Sequence, residues 1–448
     1  GDDADTLLGG YGNDSILGDG GEDDIYGGYG QDSIDGGAED DYIYGDSGDD
    51  TLVGGTGNDT IYGGDGDDYI YADNEDAQHG YLSGGSGNDT LELTDASDIS
   101  ITSKNLFETV IGSDGDDTIT NYDSSIEINA GAGNDYVVNY QLSEETIDGG
   151  DGQDTLEISN SGTIDLSSGN YSNFEEIIAS DGHDSITGTI DSVKIEGGGG
   201  NDTIEIDGSA TINAGDGDDI VYLTGNETSI DGGEGEDTLS LENLSSGFDL
   251  STLSNFSNFE VIVGNEGDDT LTSFNGESLQ GGSGDDFFQV DTNSESKAST
   301  AGQFIGGSGN DTIDYSNNAS GISEYISDSN YSGIENFVGS DYADNISGSN
   351  GNFSKIDGGA GNDYISNGEG AIQIEGGTGD DTIYIVDGTE TVNGGDDHDK
   401  LVLGSSDVSV TDLNSSRFDS IEEVLGSSYA DSITGTLNDE IIEGGAGN

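Results

Sequence analysis

Cysteine, proline, methionine and tryptophan are all missing from this chain of 448 residues, and only six lysines and arginines stand against 96 aspartates and glutamates. Without cysteine there can be neither disulfides nor thiolate metal sites, and cysteine usage gives no clue to the redox compartment. With no methionine to initiate it, and with both ends inside a repeat, the chain reads as a piece of a longer one. No run approaches the roughly 18 apolar residues of a membrane-spanning helix, and no signal peptide is legible. A formal charge of −90 repels phosphate backbones and anionic headgroups, which excludes nucleic acid and membrane surfaces and leaves cations as partners. Apolar residues make up only 30% of the chain, too few to offset chain entropy in an ordinary globule. Composition alone describes a disordered acidic polymer. The order of the residues contradicts it.

From Gly9 to Tyr71 the sequence is seven unbroken nonapeptides with the pattern Gly-Gly-x-Gly-x-Asp-x-apolar-x, as in Gly54-Gly55-Thr56-Gly57-Asn58-Asp59-Thr60-Ile61-Tyr62. Residues 1–8 are one more copy, and others follow at wider spacing, among them Gly84 to Glu92, Gly197 to Glu205, Gly358 to Ser366 and Gly376 to Tyr384. In every copy the sixth position is Asp and the eighth is apolar. A repeat of this kind defines a solenoid. Its first six residues form a turn in which glycine accepts positive φ, and its last three form a short strand with the eighth side chain inward. Two nonapeptides complete an 18-residue coil, and stacked coils pair their strands in parallel. The absence of proline agrees, since proline would remove a donor from the ladder. The expected fold is all-β, a right-handed parallel β-roll or β-solenoid.

Two regions are expected: residues 1–72, with aspartate turns on both edges, and residues 73–448, with about one such turn per coil. Residues 358–402 show the second arrangement. The intervening nines, Asn367 to Glu375 and Ile385 to Asn393, keep an apolar eighth residue (Ile374, Val392) but lose the aspartate. One edge thus keeps the aspartate turn while plain Gly/Asn turns close the other. Five longer insertions share a second motif, Phe107-Glu108, Phe174-Glu175, Phe259-Glu260, Ile334-Glu335 and Ile421-Glu422. The next motif aspartate always follows at the same offset, at Asp117, Asp184, Asp269, Asp344 and Asp431, so the insertions rejoin the coil in register. They form either an enlarged coil that buries Phe and Ile, the favoured reading, or a contact surface.

These nonapeptides resemble the repeats-in-toxin (RTX) calcium-binding family over nearly the whole chain. The resemblance implies calcium bound between successive turns, with motif carboxylates and carbonyls of the Gly-rich loop as ligands. The chemistry suits the residues independently: calcium takes six to eight hard oxygens, and stacked aspartates repel one another unless a cation lies between them. The candidate ligands are Asp5, Asp14, Asp23, Asp32, Asp41, Asp50, Asp59 and Asp68, then Asp89, Asp117, Asp135, Asp154, Asp184, Asp202, Asp219 and Asp237, and finally Asp269, Asp286, Asp311, Asp363, Asp381 and Asp399. Pairing same-edge neighbours gives about fifteen Ca²⁺ sites. Copies with Asp3, Glu39, Tyr342, Asp397 or Tyr429 in place of the fourth-position glycine are expected to bind weakly or not at all.

Other readings fail on particular residues. The Asp-Gly-Asp stretch at Asp216 has neither the twelfth-position Glu nor the helices of an EF-hand. The Gly-x-Gly at Gly282 lacks the helix of a dinucleotide site. His79, His183 and His398 are isolated, and no zinc-protease or nucleophile-elbow signature is present. Among so many carboxylates no single pair argues for glycosidase chemistry. Asn-Asp-Ser/Thr sequons such as Asn13 to Ser15 arise from the repeat itself. The third position is Thr too seldom for an ice-binding row. Tyr26, Tyr44, Tyr62 and Tyr71 could form an outward stripe for glycan or self-contact, although strand preference explains them as well.

No catalytic constellation is expected. Two readings stay open: a calcium-stiffened structural region of a secreted surface protein (S-layer, filament or adhesin), which self-associates and contacts cell-surface polysaccharide, or a calcium-dependent folding and export module of a secreted enzyme or toxin. In both, the resemblance implies type I secretion and folding in external calcium.

Overall fold

The structure, a computed structural model, describes residues 1–142, 145–225, 227, 229–253, 255–273, 277–290, 303–327, 329–348, 353–366, 372–386, 389–404, 417–435 and 440–446. The chain divides into two compact units, Gly1–Gly235 and Glu236–Asn448. Each is a parallel β-solenoid, in which strands of mostly three to six residues follow one another around the coil.

In the first unit the strands Thr6–Tyr11, Asp24–Tyr29, Tyr42–Ser47, Thr60–Asp65 and Tyr81–Ser86 form one five-stranded sheet. A nine-stranded sheet, from Ser15–Leu17 to Tyr171–Ser172, covers the opposite side. A third begins at Asp98–Ile101. Pairing is parallel, and equal motif positions face each other, as Ile25 faces Ile43 and Tyr26 faces Tyr44. The register therefore carries every eighth-position residue onto the same inner column. Ile25, Ile43 and Ile61 form one such column, fully buried, and Leu52, Ile70 and Leu91 another. A single helix, Asn74–His79, closes the run of unbroken nonapeptides; Asp73 caps it by accepting from the N–H groups of Glu75 and Asp76.

The second unit repeats the plan. Its largest sheet runs from Thr270–Ser273 to Phe418–Asp419 in eight strands, and a seven-stranded one runs from Ser323–Ile326 to Ile441–Glu443. The insertions are enlarged coils: Phe107, Phe174, Phe259, Ile334 and Ile421 are all buried. In the second unit this widened core holds an aromatic cluster of Tyr315, Tyr331, Phe337 and Phe353. The Tyr315 and Tyr331 hydroxyls lie 2.9 Å apart, and Tyr331 donates to Glu324 at 2.8 Å.

The aspartate turns do not keep to one edge, in contrast to the simpler arrangement expected from residues 358–402. In the first unit they lead both into the five-stranded sheet as far as Thr60–Asp65 and into the sheet of Ser15–Leu17 as far as Thr90–Leu93. Beyond Glu108 that sheet continues through Thr109–Ile111 and Glu127–Asn129 without motif aspartates. Asp117 and Asp135 instead lead into Thr118–Asn121 and Tyr136–Asn139 of the third sheet. The second unit switches in the same way after Glu335. Of the plain turn Asn367 to Glu375, residues 367–371 lie outside the described residues.

Candidate metal centre

The Gly-rich turns owe their shape to alternating backbone handedness. In the copy beginning at Gly27, Gly28 and Gly30 have φ of 107° and 129°, a region closed to most side chains. Stacking adds a second constraint: a Cβ on Gly28 would lie 2.4 Å from the Gly10 carbonyl oxygen of the preceding coil, and one on Gly30 would lie 2.2 Å from that of Gly12. Asp19, Asp46, Glu39 and Asp397 nevertheless hold left-handed φ, of 71°, 70°, 76° and 87°, where glycine is replaced. Glu39 and Asp397 thus keep the left-handed backbone of the glycines they replace.

The sixth-position carboxylate ties coil to coil. Asp32 Oδ1 accepts the Asp14 N–H at 2.8 Å, Asp50 Oδ1 accepts that of Asp32 at 2.7 Å, and Asp68 Oδ1 that of Asp50 at 2.9 Å. The same bond links Asp23 to Asp41, Asp135 to Asp154, Asp202 to Asp219, Asp363 to Asp381, and Asp381 to Asp399. Asp76, on the short helix, occupies the ladder position after Asp59 and accepts its N–H at 2.7 Å.

The other carboxylate oxygen is what a cation would require. The Oδ2 atoms of Asp14, Asp23, Asp32, Asp41, Asp50, Asp59, Asp68 and Asp89 are buried and accept no hydrogen bond; so are those of Asp135, Asp154, Asp202, Asp286, Asp311, Asp363, Asp381 and Asp399. In most of these turns Oδ2 packs where the first glycine has no side chain; a Cβ on Gly36 would lie 2.5 Å from Asp41 Oδ2 and 2.6 Å from the Gly54 carbonyl oxygen of the next coil. Asp219 and Asp237 are buried likewise, whereas Asp5 is exposed. A buried carboxylate oxygen without a partner costs about 1–3 kcal/mol or more, so a row of them is unstable without compensation. Lys194, Lys355 and Lys400 do not supply it: their ion pairs go to Glu176, Glu196, Asp357, Glu375 and Glu423, none of them a motif aspartate.

Burial, reinforced by neighbouring carboxylates, raises the proton affinity of a set of the motif acids. Asp41, Asp68, Asp89, Asp135, Asp286, Asp381 and Asp399 are pushed up to about 6. Asp50, Asp202 and Asp363 reach about 7, and Asp59 about 8. Among the described residues no three acidic or imidazole side chains gather as a ready metal cluster. A metal held between coils would therefore draw most of its oxygens from backbone carbonyls. That donor set, carboxylate plus carbonyl, all oxygen and without nitrogen or sulfur, suits calcium. When bound, calcium supplies the positive charge that offsets the stacked carboxylates.

Five predicted turns are built differently. In each, Ser or Asn replaces the second glycine and its N–H donates to Oδ2 of the motif aspartate: Ser113 to Asp117 at 2.7 Å, Ser180 to Asp184 at 3.1 Å, Asn265 to Asp269 at 2.7 Å, Ser340 to Asp344 at 2.7 Å and Ser427 to Asp431 at 2.6 Å. None of these Ser or Asn residues, nor the fourth residue of the same turns, has positive φ. Tyr342 and Tyr429 fit at the fourth position for that reason.

A further element was missed in the sequence: the glutamate of the insertion motif. Glu108 Oε2 accepts the Asp89 N–H at 2.8 Å, in the ladder position of the next motif aspartate. Glu175, Glu260, Glu335 and Glu422 do the same for Asp154, Asp237, Asp311 and Asp399 at 2.8 to 2.9 Å. The constant offset to the next aspartate was the available signal. From Glu108 to Asp117 is half a coil, so the glutamate ends the aspartate row on one edge and the new row opens on the other.

The tyrosine stripe is a ladder of rings. Tyr26, Tyr44 and Tyr62 stack at 5.0 and 4.9 Å and continue to Tyr81, whereas Tyr71 packs against Tyr69. Within the ladder the ring faces cover one another, which leaves edges and not faces for a sugar.

Stacked parallel coils closed by Gly- and Asp-rich turns define a calcium-binding β-roll. The chain matches the RTX calcium-binding nonapeptide repeat (4 copies) over residues 1–32, 17–52, 26–60, 44–76, 81–99, 106–120, 144–157, 178–205, 303–317, 353–371, 373–401 and 418–448, more than half its length. It belongs to that family. No curated protein matches the chain.

Proposed function

We propose that this β-roll is a structural region of a secreted bacterial surface protein, an S-layer subunit, filament or adhesin, which folds and stiffens when external calcium fills its aspartate turns. The carrying observation is the row of buried Oδ2 atoms without hydrogen-bond partners, repeated in coil after coil. Such a row makes the fold depend on a divalent cation, and the millimolar calcium outside cells provides one. Sixteen of the predicted ligands present this oxygen, and each ion would bridge two coils. No helix among the described residues is long and apolar enough to cross a membrane. The net charge of −90 favours a structural over a nucleic-acid or lipid role, and calcium-mediated self-association of neighbouring chains follows from the same chemistry.

The test has two parts. At about pH 8, where the raised carboxylates are largely ionised, far-UV circular dichroism should show a largely unfolded chain in excess EDTA and a β-rich one in millimolar calcium; a β-rich spectrum in EDTA at that pH and low salt refutes the calcium-dependent fold. Antibody labelling of intact producing cells, with and without calcium chelation, should show the protein on the surface and its release by chelator. Labelling confined to the cell interior refutes the surface role.

A further inference from the structure

The aspartate turns fall into two structural classes, and the family pattern does not separate them. Asp135 represents the first. Its Oδ1 holds the Asp117 N–H at 2.8 Å, and its buried Oδ2 has no partner. Asp117 represents the second. Its Oδ1 accepts the Ser97 N–H at 2.7 Å, and its Oδ2 accepts both the N–H and the hydroxyl of Ser113, at 2.7 and 3.0 Å. The Ser113 hydroxyl oxygen in turn accepts the Gly115 N–H at 3.0 Å, which closes the turn on itself. Asp344 is held in the same way: Ile322 N–H on Oδ1, Ser340 N–H on Oδ2, and the Ser340 hydroxyl on Oδ1.

We propose that these serine- and asparagine-closed turns take no calcium and act as metal-free staples, so that calcium enters the chain only as separate strings of ions between them. The inference rests on the calcium reading above and narrows it. Two physical reasons carry it. Both oxygens of the staple carboxylate already accept hydrogen bonds, so a cation would have to displace donors and not fill a deficit. Without left-handed residues at the second and fourth positions, the staple backbone also cannot present its carbonyls as the Gly28–Gly30 turn does. Each staple opens a row just after an insertion, where it can order the first turn before any ion arrives. Three residues predicted as ligands, Asp117, Asp184 and Asp269, thereby become structural.

The experiment compares Asp117→Asn with Asp135→Asn in the full chain, counting bound calcium by equilibrium dialysis and following the fold by circular dichroism. Asp135→Asn is expected to lose one or two ions, and Asp117→Asn none. A third variant, Ser113→Gly, restores the two-glycine pattern in a turn whose fourth residue is already Gly115, and is expected to gain one ion. Equal losses from the two aspartate variants overturn the proposal. So does an Asp117→Asn chain that fails to fold if Ser113→Gly gains no ion. A wild-type chain that binds no calcium would instead refute the calcium reading itself.

Discussion

At the scale of the residue, the motif aspartate has two unlike oxygens. Oδ1 joins a coil to its neighbour through a backbone N–H, while Oδ2 is left buried, and burial makes ionisation unfavourable. Asp50 and Asp363 are pushed up to about 7 and Asp59 to about 8. For an acid whose affinity for protons is higher folded than unfolded, protonation favours the fold. That stability is fully present below the unfolded value near 4 and is lost as pH rises through the folded one. In chelator, the β signal and melting temperature should therefore fall between about pH 5 and pH 8. With calcium the sign reverses, because the ion binds the ionised carboxylate: affinity should rise with pH across the same window, and binding should release protons. Circular dichroism melts in EDTA and calorimetric titrations in two buffers of different ionisation enthalpy check both statements. A chelated chain that gains stability toward pH 8 would show that the buried acids do not govern the fold.

At the scale of the element, the coil was legible because its signal is periodic. Every eighth position enters the core and every sixth the turn, so Ile43 and Asp41 could be placed from spacing alone. The closing glutamates were not legible because each depends on a contact made about one coil away in sequence, and the staples were not because the hydrogen bonds that define them lie inside a turn read only for its glycines. Nothing local to Phe107-Glu108 says that Glu108 accepts the Asp89 N–H, and Ser113 looks like a small flaw in a glycine pattern when its hydrogen bonds are unseen. The glutamate makes its own prediction. Glu335→Ala leaves the Asp311 N–H without its acceptor at the end of a row. An unsatisfied buried donor costs about 1–3 kcal/mol, which corresponds to roughly ten- to hundredfold faster local amide exchange. Glu335→Gln keeps an acceptor oxygen and should recover most of the protection. Hydrogen exchange at saturating calcium reads this directly at Asp311, whereas a global melt would blur it, since repeat arrays open locally. Equal protection in the alanine and glutamine variants would mean that the buried Ile334, and not its neighbour, holds the row end.

At the scale of the whole molecule, the question is which kind of cation the −90 chain needs. Charge screening and site filling are different remedies. Much of the acid surplus lies at exposed positions such as Asp49, Asp67 and Asp116, whose repulsion any salt reduces. Most motif carboxylates are buried: Asp59, Asp89 and Asp399 are 0% exposed, where diffuse counterions do not reach. Sodium chloride at about 1 M, with a Debye length of about 3 Å, should therefore compact the calcium-free chain without restoring its β signal. Magnesium is the sharper comparison, because its charge equals that of calcium. It favours a near-ideal octahedron and gives up its waters reluctantly, whereas the turns offer carbonyls and carboxylates at spacings fixed by the stacking of coils. Magnesium at the same millimolar concentration should leave the chain largely unfolded, and calcium added on top should fold it. Circular dichroism across the three salts separates the possibilities. Folding in sodium chloride alone would reduce the turns to charge repulsion, and folding in magnesium would mean that the donor set does not select for the larger ion.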